Sequence, residues 1–239
     1  MNNVELISFA DDRALAEAAA DQWLSQLETA AQAAMPYCVA LSGGRIARRF
    51  FDAVTRLIKT RPVPLNSAHF FWGDERCVPP ADPESNFGIA REFLLGPLGI
   101  AGERIHRVRG EEPPELAAAQ AETELRRIAP ADAAGQPILD LVFLGMGEDG
   151  HVASLFPGES EEVMADPRVY RPIRAAKPPP QRITLGYLAI AAAKQTWVLA
   201  SGPGKENALR ESLAPGGRTP LARVLNLRRL TRIFNGAAY

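Results

Sequence analysis

The chain has 239 residues and a formal net charge of −1, with 46% hydrophobic and 23% charged residues. These proportions are typical of a soluble globular protein, and they exclude general disorder and general attraction to nucleic acid or to an anionic membrane. Cys38 and Cys77 are too few for a disulfide framework and lack metal-ligand spacing. With no signal-peptide pattern and no apolar run long enough for a membrane helix, we expect one cytoplasmic domain over residues 1–239 that holds no metal.

Strand and helix patterns alternate from the N-terminus onward. Residues 4–9 read as a strand, and Asp11 or Asp12 is expected to cap a helix that runs to about residue 34. A buried strand over 37–41 ends in the turn Ser42-Gly43-Gly44, and a helix over 46–60 follows. The strand predicted over 68–72 leads into a polar loop that begins at Gly73.

The second half continues the same alternation. We expect a helix to residue 95 capped by Ser85 or Asn86, a short strand over 104–108, and a helix over 114–128. Further strands are predicted over 138–144, 169–175, 182–188 and 196–201, and a last helix runs to about residue 213. The pattern predicts an α/β fold with three α/β/α layers, a mostly parallel Rossmann-like sheet and helices on both faces. The arginine-rich stretch 212–239 is expected to be a solvated or sheet-pairing surface.

Four loops that follow predicted strands carry the polar side chains, over residues 42–45, 73–76, 145–151 and 202–205. The carboxyl ends of parallel strands share one edge of a sheet, so these loops are expected to converge. In the third loop, glycines surround Asp149 and His151, and a histidine beside carboxylates can act as a general base near neutral pH. The sequence leaves open whether Asp149 or Asp74 orients the imidazole.

Each of these residues also has a purely structural interpretation. His151 could be a capping or core histidine, although its loop position favours catalysis, and we assign His69 to the core. The segment 74–76 could be a surface ion-pair cluster, and Ser42-Gly43-Gly44 could be a plain turn. Lys205 could be solvated, although a lysine at a helix start also suits phosphate.

Two motifs resemble the 6-phosphogluconolactonase family, whose relatives include glucosamine-6-phosphate deaminases. They are Gly73-Asp74-Glu75-Arg76-Cys77-Val78-Pro79, with Ser85-Asn86 downstream, and Gly145-Met146-Gly147-Glu148-Asp149-Gly150-His151-Val152-Ala153-Ser154-Leu155-Phe156-Pro157-Gly158. The resemblance implies hydrolysis of 6-phospho-D-glucono-1,5-lactone to 6-phospho-D-gluconate in the oxidative pentose phosphate pathway. It also implies that no metal or organic cofactor takes part.

The resemblance also implies roles for individual residues. The family's base falls on His151, and its phosphate-binding elements fall on the turn Ser42-Gly43-Gly44, on Arg76 and on Lys205. Arg182 is expected to add a sugar or phosphate contact, and Asn86 and Gly147, inside the matched motifs, are expected to bind substrate.

The sequence departs from the family pattern directly after the glycine turn. The family usually continues Ser-Thr-Pro, whereas this chain has Arg45-Ile46-Ala47. Two hydroxyls are lost and a guanidinium is gained, so Arg45 could bind the phosphate bidentately in their place.

Two rival functions remain open at this point. A hexose or hexosamine 6-phosphate isomerase-deaminase would resemble the deaminase branch, which tends to carry Glu-Tyr after the first aspartate, whereas Glu75-Arg76 follows Asp74 here. A non-catalytic sugar-phosphate sensor is the second rival, and the intact motif around His151 argues against it. We expect a monomer or a small homo-oligomer.

Overall fold

A computed structural model describes residues 3–33 and 35–236. Six strands form a central sheet in which every neighbouring pair is parallel. In spatial order they are β1 (Asn3–Ser8), β9 (Leu230–Gly236), β8 (Gln195–Ser201), β5 (Leu141–Gly145), β2 (Tyr37–Leu41) and β3 (Ala68–Trp72). The predicted α/β class with a mostly parallel sheet and helices is confirmed.

The α-helices of the described residues connect these strands. They are α1 (Asp12–Ala33), α2 (Arg45–Thr60), α3 (Asn86–Ala90), α4 (Pro114–Ile128), α5 (Glu161–Met164), α6 (Tyr187–Ala192), α7 (Glu206–Leu213) and α8 (Pro220–Leu227). The predicted helices at α1, α2, α4 and α7 are confirmed, although residue 34, the predicted end of α1, lies outside the described residues. A π-helical turn, Arg91–Leu95, extends α3 to the predicted end at residue 95.

Aromatic side chains fix α1 and α2 against the sheet. Trp23 of α1 and Phe50 of α2 both contact Phe143 of β5, with ring centroids 5.6 and 4.7 Å apart. Full burial of a large apolar side chain contributes roughly 1.5–3 kcal/mol. Cys38 is buried in β2 as a small core residue, as predicted. These contacts hold the two helices against the sheet, which supports the loops at its carboxyl edge.

A second, antiparallel sheet is the main feature that the sequence did not predict. It contains β4 (Asp74–Arg76), β7 (Gln181–Leu185) and β6 (Tyr170–Arg174), in that order. The prediction of a loop over 74–76 is wrong, because β7 supplies hydrogen-bond partners that no local pattern reveals. The strand predicted over 182–188 ends at Leu185, since α6 begins at Tyr187.

The short strand predicted over 104–108 is also wrong. A 3₁₀ turn, Gly102–Arg104, occupies its start, and Ile105 forms a single parallel bridge with Phe70 at the edge of the central sheet. Residues 104–108 contain both polar and apolar side chains, but this segment leaves the edge of the sheet after the single bridge at Ile105. By contrast, the sheet-pairing surface expected near the C-terminus is confirmed, because β9 lies between β1 and β8. Residues 237–239 of that stretch lie outside the described residues.

The strand order places a crevice between β2 and β5. From β2 the chain proceeds to β3 on one side, and from β5 it proceeds to β8 on the other. Loops that leave neighbouring strands in opposite directions open a crevice at the carboxyl edge, where ligands bind in open α/β sheets. Ser42 follows β2, and its hydroxyl accepts a hydrogen bond from the Gly145 amide at 3.2 Å. In the described ranges, no helix combines the length and apolar character that a membrane span requires.

Candidate active site

A cavity of about 140 Å³ lies at this crevice. All four loops that were expected to converge contribute to it. The lining residues are Ser42, Gly43, Gly44, Arg45, Ile46, Asp74, Arg76, Asn86, Gly145, Met146, His151, Ala153, Arg182, Ser201 and Lys205. The structure thus brings together every residue expected at the site except Asp149 and Gly147, which lie behind His151.

His151 is held through one face of its imidazole and one nitrogen. Its Nδ1 lies 2.5 Å from Asp149 Oδ1, and the Phe156 ring packs against it with centroids 4.9 Å apart. The side chain is 27% exposed, so the ring is not enclosed in the interior. Because Nδ1 is engaged, Nε2 is the nitrogen that can accept a proton from a bound molecule. Although burial raises it, the hydrogen bonds from His151 bring the pKa of Asp149 below its usual value, so this carboxylate is ionised.

Gly147 provides space for the imidazole. Its amide donates to the His151 carbonyl at 2.9 Å, and a Cβ built on Gly147 would overlap His151 Nδ1 and Cε1. Gly147 does not line the cavity and its N–H is already used, so its placement does not match the expected substrate contact. The absence of a side chain at Gly147 therefore leaves the space that the His151 ring occupies.

Asp74 is bound to a different set of partners from Asp149. It is 5% exposed, and its Oδ2 accepts a hydrogen bond from the Ser154 hydroxyl at 2.7 Å. Asn86 Nδ2 lies 3.3 Å from Oδ1 of the same carboxylate. Of the two candidates for orienting His151, the structure therefore places only Asp149 in contact with the ring. Ser154 was not predicted, although it stands three residues after His151 in the same motif.

Two guanidinium groups form one wall of the cavity. Arg76 of β4 is directly opposite Arg182 of β7 in the antiparallel register. Arg76 Nη1 lies 3.0 Å from Glu84 Oε2 and also donates to the Glu84 carbonyl at 2.8 Å. Among residues 74–76, the ion-pair interpretation therefore holds for Arg76 alone. Burial, and then the charge of Arg76, lower the pKa of Arg182 below its usual value. Two adjacent cations at a cavity wall favour a bound anion.

A second cationic pair lies beside the start of α2. Lys205 is half-buried, and its Nζ makes no hydrogen bond or ion pair with any described residue. The Arg45 guanidinium lies against Gly202, in the loop that contains Lys205. Burial, followed by the charge of Arg45, lowers the pKa of Lys205. Gly44 precedes α2 with φ of 90° and no side-chain cap, which leaves the first helical N–H groups facing the cavity edge. The arrangement suits a dianionic group such as a phosphate monoester.

His69 does not lie in the interior as assigned. It is half-buried, and its Nδ1 is 2.9 Å from Nε2 of His106, whose Nδ1 contacts Glu124. The pair lies outside the cavity. Within residues 3–33 and 35–236, no group of three His, Cys, Asp or Glu side chains has the arrangement of a metal site.

Residues 10–232 match the family model described as glucosamine-6-phosphate isomerases/6-phosphogluconolactonase. The chain belongs to this family. A 6-phosphogluconolactonase of Haemophilus influenzae is 33% identical over 201 residues, 82% of each chain. Its counterpart from Streptomyces coelicolor is 33% identical over 219 residues, which cover 89% of this chain and 84% of that one.

The likeness extends to solved structures of the family. The 6-phosphogluconolactonase of Trypanosoma brucei superimposes with a TM-score of 0.86 at 26% identity, over 98% of this chain and 97% of that one. The family resemblance identified from the two motifs is therefore confirmed, and the family model itself spans both lactonases and isomerases.

Proposed function

We propose that the protein hydrolyses 6-phospho-D-glucono-1,5-lactone to 6-phospho-D-gluconate in the oxidative pentose phosphate pathway. Its family membership and the curated relatives named 6-phosphogluconolactonase support this reaction. The observation that carries the proposal is the His151 imidazole, anchored by Asp149 and set in a cavity lined by cations. A cytoplasmic location belongs to the proposal, because a charged sugar phosphate does not cross membranes unaided.

In the proposed mechanism, neutral His151 acts first as a base. Nε2 removes a proton from water as the water oxygen bonds to the lactone carbonyl carbon, and Asp149 stabilises the resulting imidazolium. Nε2 then returns the proton to the ring oxygen as the bond between that oxygen and the carbonyl carbon breaks, which leaves an open-chain acid. A positioned base of this kind supplies about 10²–10⁴-fold in rate.

The cations have two functions in this mechanism. They bind the phosphate, and they stabilise the negative charge that develops on the carbonyl oxygen, where one well-placed donor contributes roughly 2.7–4 kcal/mol. Arg45 lies beside Lys205 at the start of α2, where its guanidinium can bind phosphate in place of the missing hydroxyls.

The test is a coupled assay with 6-phosphogluconolactone and unphosphorylated gluconolactone at pH 6 to 7, where spontaneous opening is slow. We expect strong preference for the phosphorylated lactone, and a fall in kcat of about 10²-fold or more for His151→Ala. His69→Ala is the matched control, because His69 does not line the cavity. Near wild-type turnover by His151→Ala would overturn the mechanism.

Isomerisation or deamination of a hexose or hexosamine 6-phosphate is the second candidate. Asp74 favours it, since a buried carboxylate that lines the cavity with His151 could serve as a second base. Incubation with glucosamine 6-phosphate and measurement of released ammonia decides between the two. Ammonia release with no lactone turnover would select this candidate.

A further inference from the structure

We infer that Glu75 is a positioning residue whose buried carboxylate joins β4 to the segment 85–87 at the start of α3 and thereby sets Arg76 and Asn86 in the cavity wall. The inference rests on the proposed lactone hydrolysis for its kinetic readout. Glu75 does not line the cavity, so it would act only through its neighbours.

The side chains of β4 alternate between the cavity and the protein interior. Side chains of successive strand residues point to opposite faces. Asp74 and Arg76 line the cavity, so Glu75 between them faces away, where it is 2% exposed. A carboxylate buried on the far side of a cavity wall needs internal hydrogen-bond donors.

Neutral donors supply those hydrogen bonds. Oε1 accepts from the backbone N–H groups of Arg76 and Asn86, both at 2.8 Å. Oε2 accepts from the Phe87 N–H at 2.7 Å and from the Ser85 hydroxyl at 3.2 Å. No cation of the described chain lies within ion-pair distance of Glu75. Burial nevertheless raises the pKa of Glu75 to about 7.

The bonded donors belong to two chain segments that together make the wall. Arg76 is in β4, whereas the other donors, Ser85, Asn86 and Phe87, are at the start of α3, nine or more residues later. Asn86 in turn donates from Nδ2 to the Asp74 carbonyl at 2.9 Å, and its Oδ1 is buried without a protein partner. Gly43 is packed against that amide so closely that a Cβ there would overlap it. Glu75 is thus the group on which the positions of Asn86 and Arg76 both depend.

The same contacts separate Glu75 from the chemical step. Its carboxylate bonds neither Asp149 nor His151, whose own contact is made within the loop after β5. Loss of the Glu75 carboxylate should therefore weaken substrate binding and leave the base intact. The titratable and charged groups that interact electrostatically with Glu75 are Asp74 on its strand, Cys77 two residues after it, and Arg107 from the segment after the 3₁₀ turn.

Glu75→Gln tests the inference, because the amide keeps the shape but replaces one acceptor oxygen by a donor facing other donors. At pH 8, where the wild-type carboxylate is ionised, we expect the Kd of 6-phosphogluconate by calorimetry to rise about tenfold. The KM for the lactone at pH 7 should rise by a smaller factor, because part of the wild-type carboxylate is protonated there. The kcat and its pH dependence should not change. Glu103→Gln, an exposed carboxylate away from the cavity, is the control.

If Glu75→Gln does not fold, Ser85→Ala removes one donor to Oε2 and should raise Kd and KM in the same direction by about two- to threefold. Unchanged Kd and KM in a folded variant overturn the inference, as does a lower kcat with a shifted pH profile. Absence of lactone turnover by the wild type would instead refute the proposed function, and the calorimetric comparison of Glu75→Gln with the wild type would still decide the positioning role.

Discussion

Asp149 Oδ1 lies 2.5 Å from His151 Nδ1, while Asp74 Oδ2 is bound by the Ser154 hydroxyl at 2.7 Å. The two carboxylates near the cavity therefore have separate partners. Only Asp149 can fix the imidazole tautomer with the proton on Nδ1. The proposed mechanism depends on this contact, because the alternative tautomer would place a proton on the nitrogen that must accept one.

Asp149→Asn should slow the proposed chemical step. The amide can donate from its nitrogen to His151 Nδ1, which favours the wrong tautomer, so we expect kcat to fall about ten- to a hundredfold with little change in KM. The measurement is steady-state lactone hydrolysis at pH 6 to 7. If kcat stays at the wild-type value, Asp149 does not orient the base.

Gly147→Ala should move the His151 imidazole without replacing any titratable residue. The new Cβ would overlap the His151 ring, so the ring must rotate or the loop must shift. We expect kcat to fall about tenfold or more, since a misplaced base is no longer aligned to remove the proton from water. Gly102→Ala is the matched control, because a Cβ there meets no atom within 4 Å. Equal activity of the two variants would contradict the proposed role of Gly147.

Binding of the phosphate should weaken at alkaline pH. Burial and the charge of Arg45 lower the pKa of Lys205 from its ordinary value of 10.5, so this cation is lost as the pH rises through the lowered value. The Kd of 6-phosphogluconate should therefore increase at high pH, and Arg45→Ala should move that increase to higher pH. Calorimetric titrations from pH 7 to 10 measure both effects. The same midpoint in Arg45→Ala as in the wild type would show that the two cations are not coupled.

The His69–His106 pair should make stability depend on pH. Burial is the largest cause that lowers the pKa of each histidine, so the unfolded chain takes up more protons than the folded chain as the pH falls through 6.5. The free energy of unfolding should decrease from pH 7 to pH 5, with a limit of about 1.4 kcal/mol per pH unit for each histidine. Urea titrations of the wild type and of His69→Gln/His106→Gln measure the difference. If the free energy of unfolding changes with pH in the same way in both proteins, the histidine pair is not the cause of the pH dependence.

The sequence by itself determined the fold class and the main strands of the central sheet. Apolar strands such as β2 and β3 are buried on both faces, and a strand of this kind is recognisable from local composition. Short, contiguous stretches indicate the loops at their carboxyl ends, the proposed general base at His151 and the family motifs. These features are local, so they could be identified without a structure.

The tertiary structure decided which side chains act together. The pairing of β4 with β7 joins residues more than a hundred positions apart. The choice of Asp149 over Asp74 depends on which carboxylate lies within hydrogen-bond distance of the imidazole. Arg228 gives a further example, since it was expected at a surface but is 7% exposed and donates to the carbonyls of Ile190 and Ala193. Hydrogen bonds between distant segments are fixed by packing, so the local pattern of apolar and polar residues does not predict them.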